Sequence, residues 1–267
     1  MKPTIFILGD SWGCGEWIIN HSLAWWRRPV IEHFGLEQFF NDDGYTVINK
    51  SKPSGSNNDS ILILENIFQT MYKPGDYIFL ILTEATRSFG KDFKHLRDEL
   101  DKHNGLFELQ LHVLNKDLES LNQLAEQYNS TIHLIGGLVS IPDSTKQFTN
   151  LNNLVKSWPK LLVGDATWPM WENKEEIYKQ YKEIDFDHFG SWGQWKIDDV
   201  LINDWLTSSR SLPFSMELSE KIINQLLELD SNRLIIENHP VFQPDKVHPN
   251  REGHKILFNY IKENLGL

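Results

Sequence analysis

Residues 4–13 read TIFILGDSWG, a run of apolar and β-branched side chains that ends in Gly-Asp-Ser. A continuous run of this kind predicts a strand that is buried on both faces of a parallel sheet. Gly9 ends the strand, so Ser11 would follow its carboxyl end almost as soon as the chain begins. Open α/β sheets place their chemistry at the carboxyl ends of their strands. The stretch therefore predicts a class of fold and a first candidate functional residue.

Apolar runs and helical patterns alternate through the first half of the chain. Further strands are predicted at 46–49, 77–82 and 131–135, and helices at about 59–71, over 106–124 and, near the end of the chain, at 250–264. Such alternation requires right-handed crossovers and a mostly parallel sheet that is covered by helices. We therefore predict a single α/β domain over residues 1–267.

From about residue 140 to residue 212 the periodic pattern is lost and tryptophan accumulates. The tryptophans of this segment are Trp158, Trp168, Trp171, Trp192, Trp195 and Trp205. We predict an insertion at about 140–212 that lies over the site, followed by a helix at 216–229 and a short strand at 233–236. The aromatic side chains could stack on the sugar rings of a substrate or could form the insertion's own core.

Composition and charge argue against several classes of function. The formal net charge is −11, which opposes non-specific binding to nucleic acid, because that affinity comes from Lys and Arg side chains. No apolar run approaches the roughly 20 residues of a membrane-spanning helix, and the N-terminus does not read as a signal peptide. We therefore expect no nucleic-acid partner and no membrane, with a cytoplasmic location or, for a phage-encoded chain, a place in the virion.

Cys14 is the only cysteine of the chain. The chain therefore forms no intrachain disulfide and holds no multi-thiolate metal site. Its position three residues after Ser11 would suit a catalytic thiol or a small buried packing residue, and we favour packing.

The far end of the chain supplies the partners that a reactive serine needs. Asp245 and His248 are three residues apart, a spacing at which a carboxylate can orient an imidazole from within one turn. Together with Ser11 they would form a hydrolytic triad. A structural alternative makes Asp245 a cap and places His248 in a turn before the last helix. His188 and His239 show parts of the same pattern, but neither combines the acid, the proline and a following helix.

Two motifs at opposite ends of the chain resemble one known family. Residues 9–13 match the G-x-S-x-G pattern of α/β-hydrolases, but that fold builds several strands before its nucleophile. The Gly-Asp-Ser after an N-terminal strand and the D-x-x-H-P at 245–249 resemble the SGNH, or GDSL-type, hydrolases, and Asn49 with Gly55 is similar to their second block. The resemblance implies a three-layer α/β/α sandwich with a mostly parallel, flavodoxin-like sheet.

The same resemblance implies a role for each matching residue. Ser11 would be the nucleophile, His248 the general base and then acid, and Asp245 the group that fixes the imidazole tautomer. The backbone N–H groups of Ser11 and Gly55 would donate to the oxyanion, although Gly55 could also serve only a turn. We expect Trp12, next to the nucleophile, to line the substrate pocket.

The chain departs from the family at the third block, where the family pattern is Gly-x-Asn-Asp. Residues 82–87 read LTEATR and contain no asparagine. The missing oxyanion donor could be replaced by the hydroxyl of Thr83 or by the side chain of Asn57 or Asn58 from the neighbouring loop. Glu84 could pair with Arg87 in a structural role.

The resemblance implies a serine esterase or deacetylase that transfers an acyl group from a carboxylic ester to Ser11 and then hydrolyses the acyl-enzyme. The O-acetyl groups of a glycan are one candidate substrate. We expect neither a metal ion nor an organic cofactor, and the oligomeric state stays open. The alternative is a non-catalytic protein with the same fold, such as a glycan-binding or structural component of a virion.

Overall fold

The computed structural model describes residues 2–18, 30–53, 55–83, 87–88, 99, 102, 106–137, 139–164, 240–243 and 248–267. Several predicted features lie outside these residues. They are the helix at 216–229, the strand at 233–236, Asp245, His188 and His239.

The central sheet has five strands, all parallel to their neighbours. They are β1 (Thr4–Leu8), β4 (Thr46–Asn49), β5 (Tyr77–Leu82), β6 (Ile132–Gly136) and β7 (Leu151–Val155). A separate antiparallel pair is formed by β2 (Glu16–Ile18) and β3 (Val30–His33). The spatial order of the large sheet is β4-β1-β5-β6-β7. Counted along the chain, this is the 2-1-3-4-5 order of flavodoxin-like sheets, so the predicted topology is confirmed.

Helices connect and cover these strands. They are α1 (Leu36–Asp42), α2 (Asn57–Thr70), α3 (Leu106–Gln127), α4 (Trp158–Val163) and α5 (Arg251–Leu265). α2 begins two residues earlier than predicted, because Ser56 and Asp59 form a reciprocal capping box at its start. Of the helices that the structure describes, none has the length and apolar character needed to cross a membrane.

Alternate side chains of the sheet point into two separate cores. Ile5 and Ile7 pack with α1, α4 and α5, whereas Phe6 and Leu8 pack with α2 and α3 on the opposite face. These four of the five β1 side chains are at most 1% exposed. Burial of each such side chain stabilises the fold by about 1.5–3 kcal/mol. The predicted three-layer α/β/α architecture is therefore confirmed, with β1 as an interior strand between β4 and β5.

The predicted start of the tryptophan-rich insertion, at about residue 140, is wrong. β7 pairs with β6 as the fifth strand of the sheet, and Trp158 of α4 is fully buried in the core. The sequence of β7 is LNNLV, in which Asn152 and Asn153 interrupt the apolar run expected of a buried strand. The strand tolerates these residues because their side chains have polar partners: Asn152 bonds to His133 and Asn153 donates to the Thr145 hydroxyl. Residues 165–212 lie outside the described part of the chain.

Candidate active site

A glycine allows the end of β1 to approach β5 and to present Ser11. Gly9 has a φ of +147°, and a Cβ atom at this position would lie 2.8 Å from Ile81 Cβ and 2.9 Å from the Ile81 carbonyl oxygen. Contacts this short exclude a side chain, so the position requires glycine. Ser11 then begins a short 3₁₀ helix, Ser11–Gly13, whose N-cap is Asp10. The serine therefore follows the carboxyl end of a central strand, as predicted.

The segment before α5 brings His248 to this serine. The Gln243 N–H donates to the carbonyl oxygen of His248 at 2.8 Å, and the Asn250 N–H donates to that of Val241 at 3.0 Å. His248 is 6% exposed, and its Nε2 lies 2.9 Å from Ser11 Oγ. The two residues are 237 positions apart in the chain. A hydroxyl and an imidazole at this distance are arranged for proton transfer.

The third residue of the predicted triad, Asp245, is not among the described residues. Its role in orienting His248 therefore stays a prediction. The structure joins two of the three predicted residues, and these come from the two ends of the chain.

A buried carboxylate directly precedes the nucleophile. Asp10 is 0% exposed, and its Oδ1 accepts a hydrogen bond from the Trp12 N–H at 2.9 Å. Its Oδ2 accepts from the Thr83 hydroxyl at 2.8 Å and from Arg87 Nη1 at 3.1 Å. Arg87 is therefore the partner of Asp10, and Glu84, its predicted partner, lies outside the described residues.

Thr83 and Asn57 hold the end of β5 through reciprocal hydrogen bonds. The Thr83 N–H donates to Asn57 Oδ1, and Asn57 Nδ2 donates to the Thr83 carbonyl oxygen, each at 3.0 Å. The single hydroxyl proton of Thr83 is directed at Asp10. The predicted oxyanion roles of Thr83 and Asn57 do not fit this arrangement, because their donors already serve the framework of the site.

The two predicted backbone donors to the oxyanion, the N–H groups of Gly55 and Ser11, differ in whether they already form a hydrogen bond. The Gly55 N–H donates to the carbonyl oxygen of Lys52 at 2.8 Å, so in this structure it closes a turn. Among the described residues, the Ser11 N–H has no hydrogen-bond acceptor. Of the two predicted backbone donors, only the Ser11 N–H is therefore free to meet an oxyanion without breaking an existing bond.

Trp12 does not line a substrate pocket, and that prediction is wrong. Its side chain is 0% exposed, and its ring packs edge-on against Trp158 with the centroids 5.4 Å apart. The ring centroid of His248 lies 6.5 Å away. Trp12 is therefore a core residue that packs between Trp158 and His248 and helps to hold the imidazole in place.

Cys14, close to the nucleophile in sequence, is not a competing nucleophile. Burial, together with the nearby carboxylates of Asp10 and Glu37, raises the pKa of its thiol to about 12. The thiolate is the reactive form of cysteine, and a raised pKa suppresses it. The packing role predicted for Cys14 fits this environment.

Two buried histidines other than His248 are kept neutral. Desolvation lowers the pKa of His254 to about 3 and that of His133 to about 4. Within the described parts of the chain, no three His, Cys, Asp or Glu side chains are grouped to hold a metal ion. The expectation that the protein needs no metal stays a prediction.

The sequence missed the contacts that surround Asp10. A carboxylate at the end of a buried strand requires a hydrogen-bond or charge partner. That requirement was visible in the sequence, but it did not identify Thr83 and Arg87, which lie 73 and 77 positions further along the chain.

No family model matches the sequence, and no curated protein matches it significantly. The solved structures that resemble this one include lipolytic enzymes and esterases. A member of the lipolytic protein G-D-S-L family from Veillonella parvula is 18% identical, with 97% of this chain and 96% of that chain covered and a TM-score of 0.37. A psychrotrophic esterase from Pseudoalteromonas sp. is 13% identical, with 100% of both chains covered and a TM-score of 0.38.

An acetylxylan esterase from Geobacillus stearothermophilus is likewise 13% identical, with 100% of this chain and 96% of that chain covered and a TM-score of 0.34. At such identities and TM-scores, these similarities carry no argument about this chain. The fold assignment rests on the observed strand order, and the candidate site rests on the contacts of Ser11 and His248.

Proposed function

We propose that this protein is a serine-dependent ester hydrolase of the SGNH type. The observation that carries this proposal is the 2.9 Å separation between Ser11 Oγ and His248 Nε2, at the carboxyl end of a central parallel strand. A histidine at this distance can accept the hydroxyl proton and so activate the serine as a nucleophile. The strand order and the two terminal motifs agree with that class.

In the first half of the proposed reaction, Ser11 Oγ attacks the ester carbonyl carbon while His248 Nε2 takes its proton. The carbonyl oxygen becomes an anion, to which the Ser11 N–H donates. When the carbon–oxygen bond to the alcohol breaks, His248 returns the proton to the departing oxygen. The acyl group remains on Ser11.

In the second half, His248 takes a proton from water, and the resulting nucleophile attacks the acyl-enzyme. Collapse of the second tetrahedral intermediate releases the carboxylic acid and returns the proton to Ser11 Oγ. In this proposal Asp245 holds the imidazole in the required tautomer, as the D-x-x-H spacing predicts. Glycans that carry O-acetyl groups are the first class of natural substrate to test.

Hydrolysis of a short-chain aryl acetate tests the proposal. Ser11→Ala and His248→Asn should each lower kcat by roughly 10⁴-fold or more, and the double variant should be no worse, because the two groups act as one unit. A fluorophosphonate should label the wild type at Ser11, as read by peptide mass spectrometry. Ser144→Ala is a matched control, since the Ser144 hydroxyl donates to Asn115 Oδ1 of α3, in the helical layer opposite to α5.

Unchanged hydrolysis by Ser11→Ala would remove Ser11 from the mechanism. If the wild type instead retains acetylated glycan without releasing acetate, the protein is the non-catalytic glycan-binding alternative.

A further inference from the structure

Asp10 lies directly before the nucleophile and takes no part in the proton transfers of the proposed reaction. We propose that Asp10 is a positioning residue that aims the Ser11 N–H at the oxyanion and that Thr83 and Arg87 hold Asp10 in place. This inference rests on the proposed function, because an oxyanion forms only if Ser11 attacks an ester.

The peptide group between Asp10 and Ser11 is held on both sides. The Gly13 N–H donates to the Asp10 carbonyl oxygen at 3.1 Å, and the Trp12 N–H donates to Asp10 Oδ1 at 2.9 Å. In a planar trans peptide, the N–H points opposite to the C=O. Since the Asp10 carbonyl points into the turn, the Ser11 N–H must point out of it.

The second carboxylate oxygen is bound to the neighbouring strand. Asp10 Oδ2 accepts from the Thr83 hydroxyl at 2.8 Å and from Arg87 Nη1 at 3.1 Å. Thr83 is itself fixed, because its backbone N–H and carbonyl are both bonded to the Asn57 side chain. Asp10, Thr83 and Asn57 are at most 1% exposed. A fully bonded network of buried groups restricts Asp10 to one position.

The same contacts offset the charge of Asp10. An ionised carboxylate one residue from a developing oxyanion would oppose the formation of that anion. Arg87 places a guanidinium 3.1 Å from Oδ2, and Thr83 adds a hydroxyl donor to the same oxygen. Asp10 can therefore order the turn without a large electrostatic penalty on the reaction.

The direction of the Ser11 N–H matters because the other predicted oxyanion donors already form hydrogen bonds within the protein. The Gly55 N–H bonds to Lys52, and the Thr83 hydroxyl bonds to Asp10. Loss of one oxyanion donor costs about 10²–10³-fold in kcat in other hydrolases. Loosening the turn should produce part of that loss without removing any group that touches the substrate.

Thr83→Val tests this inference because it removes the hydroxyl donor and keeps the shape of the side chain. We expect kcat for the aryl acetate to fall about 10- to 100-fold while KM changes by less than about threefold. A trifluoromethyl ketone forms an oxyanion adduct with a reactive serine, and its inhibition should weaken by a similar factor. Thr83→Ser keeps the hydroxyl and should restore most of kcat.

Thr145→Val is the matched control. Thr145 is also buried, at 1% exposure, and its hydroxyl donates to the Pro142 carbonyl oxygen at 2.6 Å, away from the serine turn. This variant should lower the melting temperature about as much as Thr83→Val and leave kcat unchanged. Equal kcat values for the two variants, or an effect of Thr83→Val on KM alone, would overturn the inference. The proposed function would still stand if the wild type showed Ser11-dependent hydrolysis.

A wild type without Ser11-dependent hydrolysis would overturn the proposed function, and this inference with it. If Thr83→Val does not fold, Arg87→Met gives the same readouts, because the Arg87 side chain is 20% exposed and its replacement leaves the core intact. Arg87→Met should lower kcat and Arg87→Lys should restore much of it. Wild-type kcat in Arg87→Met would overturn the inference.

Discussion

The serine side and the histidine side of the candidate site are held by different kinds of contact. Ser11 lies in a tight turn between two central strands, next to the fully buried side chain of Asp10. His248 lies in the segment that precedes α5, where Phe242 and Pro249 form an isolated antiparallel bridge. The serine side is therefore fixed at the end of β1 by the buried side-chain bonds of Asp10, whereas the described contacts of the histidine side include backbone hydrogen bonds, the core packing of Val241 and Phe242 and the ring of Trp12.

This difference separates effects on stability from effects on activity. Changes in the close packing beneath the serine, such as at Gly9, disturb the sheet and should first be seen in unfolding experiments. Changes in the polar contacts of the histidine side should displace the imidazole at a smaller cost in stability. Proton transfer depends steeply on distance, so a small displacement of His248 is sufficient to lower kcat.

Gly9→Ala should have the largest effect on stability. A Cβ at this position would lie 2.8 Å from Ile81 Cβ at a φ of +147°, so overpacking and backbone strain together should cost about 2–5 kcal/mol. Urea unfolding measures this cost. Gly44→Ala is the matched control, since a Cβ added at Gly44, which has a φ of +86°, would meet no atom within 4 Å and should cost only about 1 kcal/mol. Equal costs for the two variants would show that the close approach of β1 and β5 is unimportant.

Gln243→Leu should have a smaller effect on stability and a clear effect on rate. The buried Gln243 Nε2 donates to the carbonyl oxygens of Pro249 and Gly15 at 3.1 and 3.4 Å, so it links the histidine segment to the loop after the serine turn. Loss of these bonds should cost about 1–3 kcal/mol and lower kcat about tenfold by displacing His248.

The control for Gln243→Leu is Asn122→Leu. Asn122 Oδ1 accepts from the Asn150 N–H at 3.1 Å on the layer opposite to His248. Its replacement should lower stability without changing kcat. A parallel loss of kcat in both variants would contradict the role of Gln243 in placing the histidine.

Acid should weaken the fold because two buried histidines are kept neutral. Near neutral pH this effect should be smaller than those of Gly9→Ala and Gln243→Leu. The pKa of His254 is lowered by burial to about 3, and that of His133 to about 4, from an ordinary value of 6.5. As the pH falls below 6.5, the unfolded chain binds protons that the folded chain does not, so the free energy of unfolding decreases. The buried Asp117 has a pKa raised to about 6 and offsets part of this loss, because its folded form binds a proton first.

Urea unfolding at pH 7 and at pH 4.5 measures this dependence. His254→Phe removes one of the two titrating groups and keeps a ring against Trp158, which lies 5.0 Å from the His254 ring. The variant should lose less stability than the wild type between the two pH values. An identical loss in both proteins would exclude His254 as a source of the acid sensitivity.

Local patterns predicted the central elements well. The strands predicted at residues 4–8, 46–49 and 77–82 have the same bounds in the structure, because each is a short apolar or β-branched run with clear ends. β7 was missed because two asparagines, whose partners come from distant segments, interrupt its apolar run. Trp12 was misplaced because exposure depends on what packs over a residue, which here is Trp158.

The sequence by itself determined a mostly parallel sheet covered by helices and the two ends of the chain that carry the candidate chemistry. These follow from the period of burial and from short motifs, both of which are local properties. The tertiary structure decided that His248 reaches Ser11, that the Thr83 proton goes to Asp10 and that the Gly55 N–H closes a turn. Each of these depends on which groups compete for one donor or acceptor across the sheet, and such competition is settled only when distant segments are packed together.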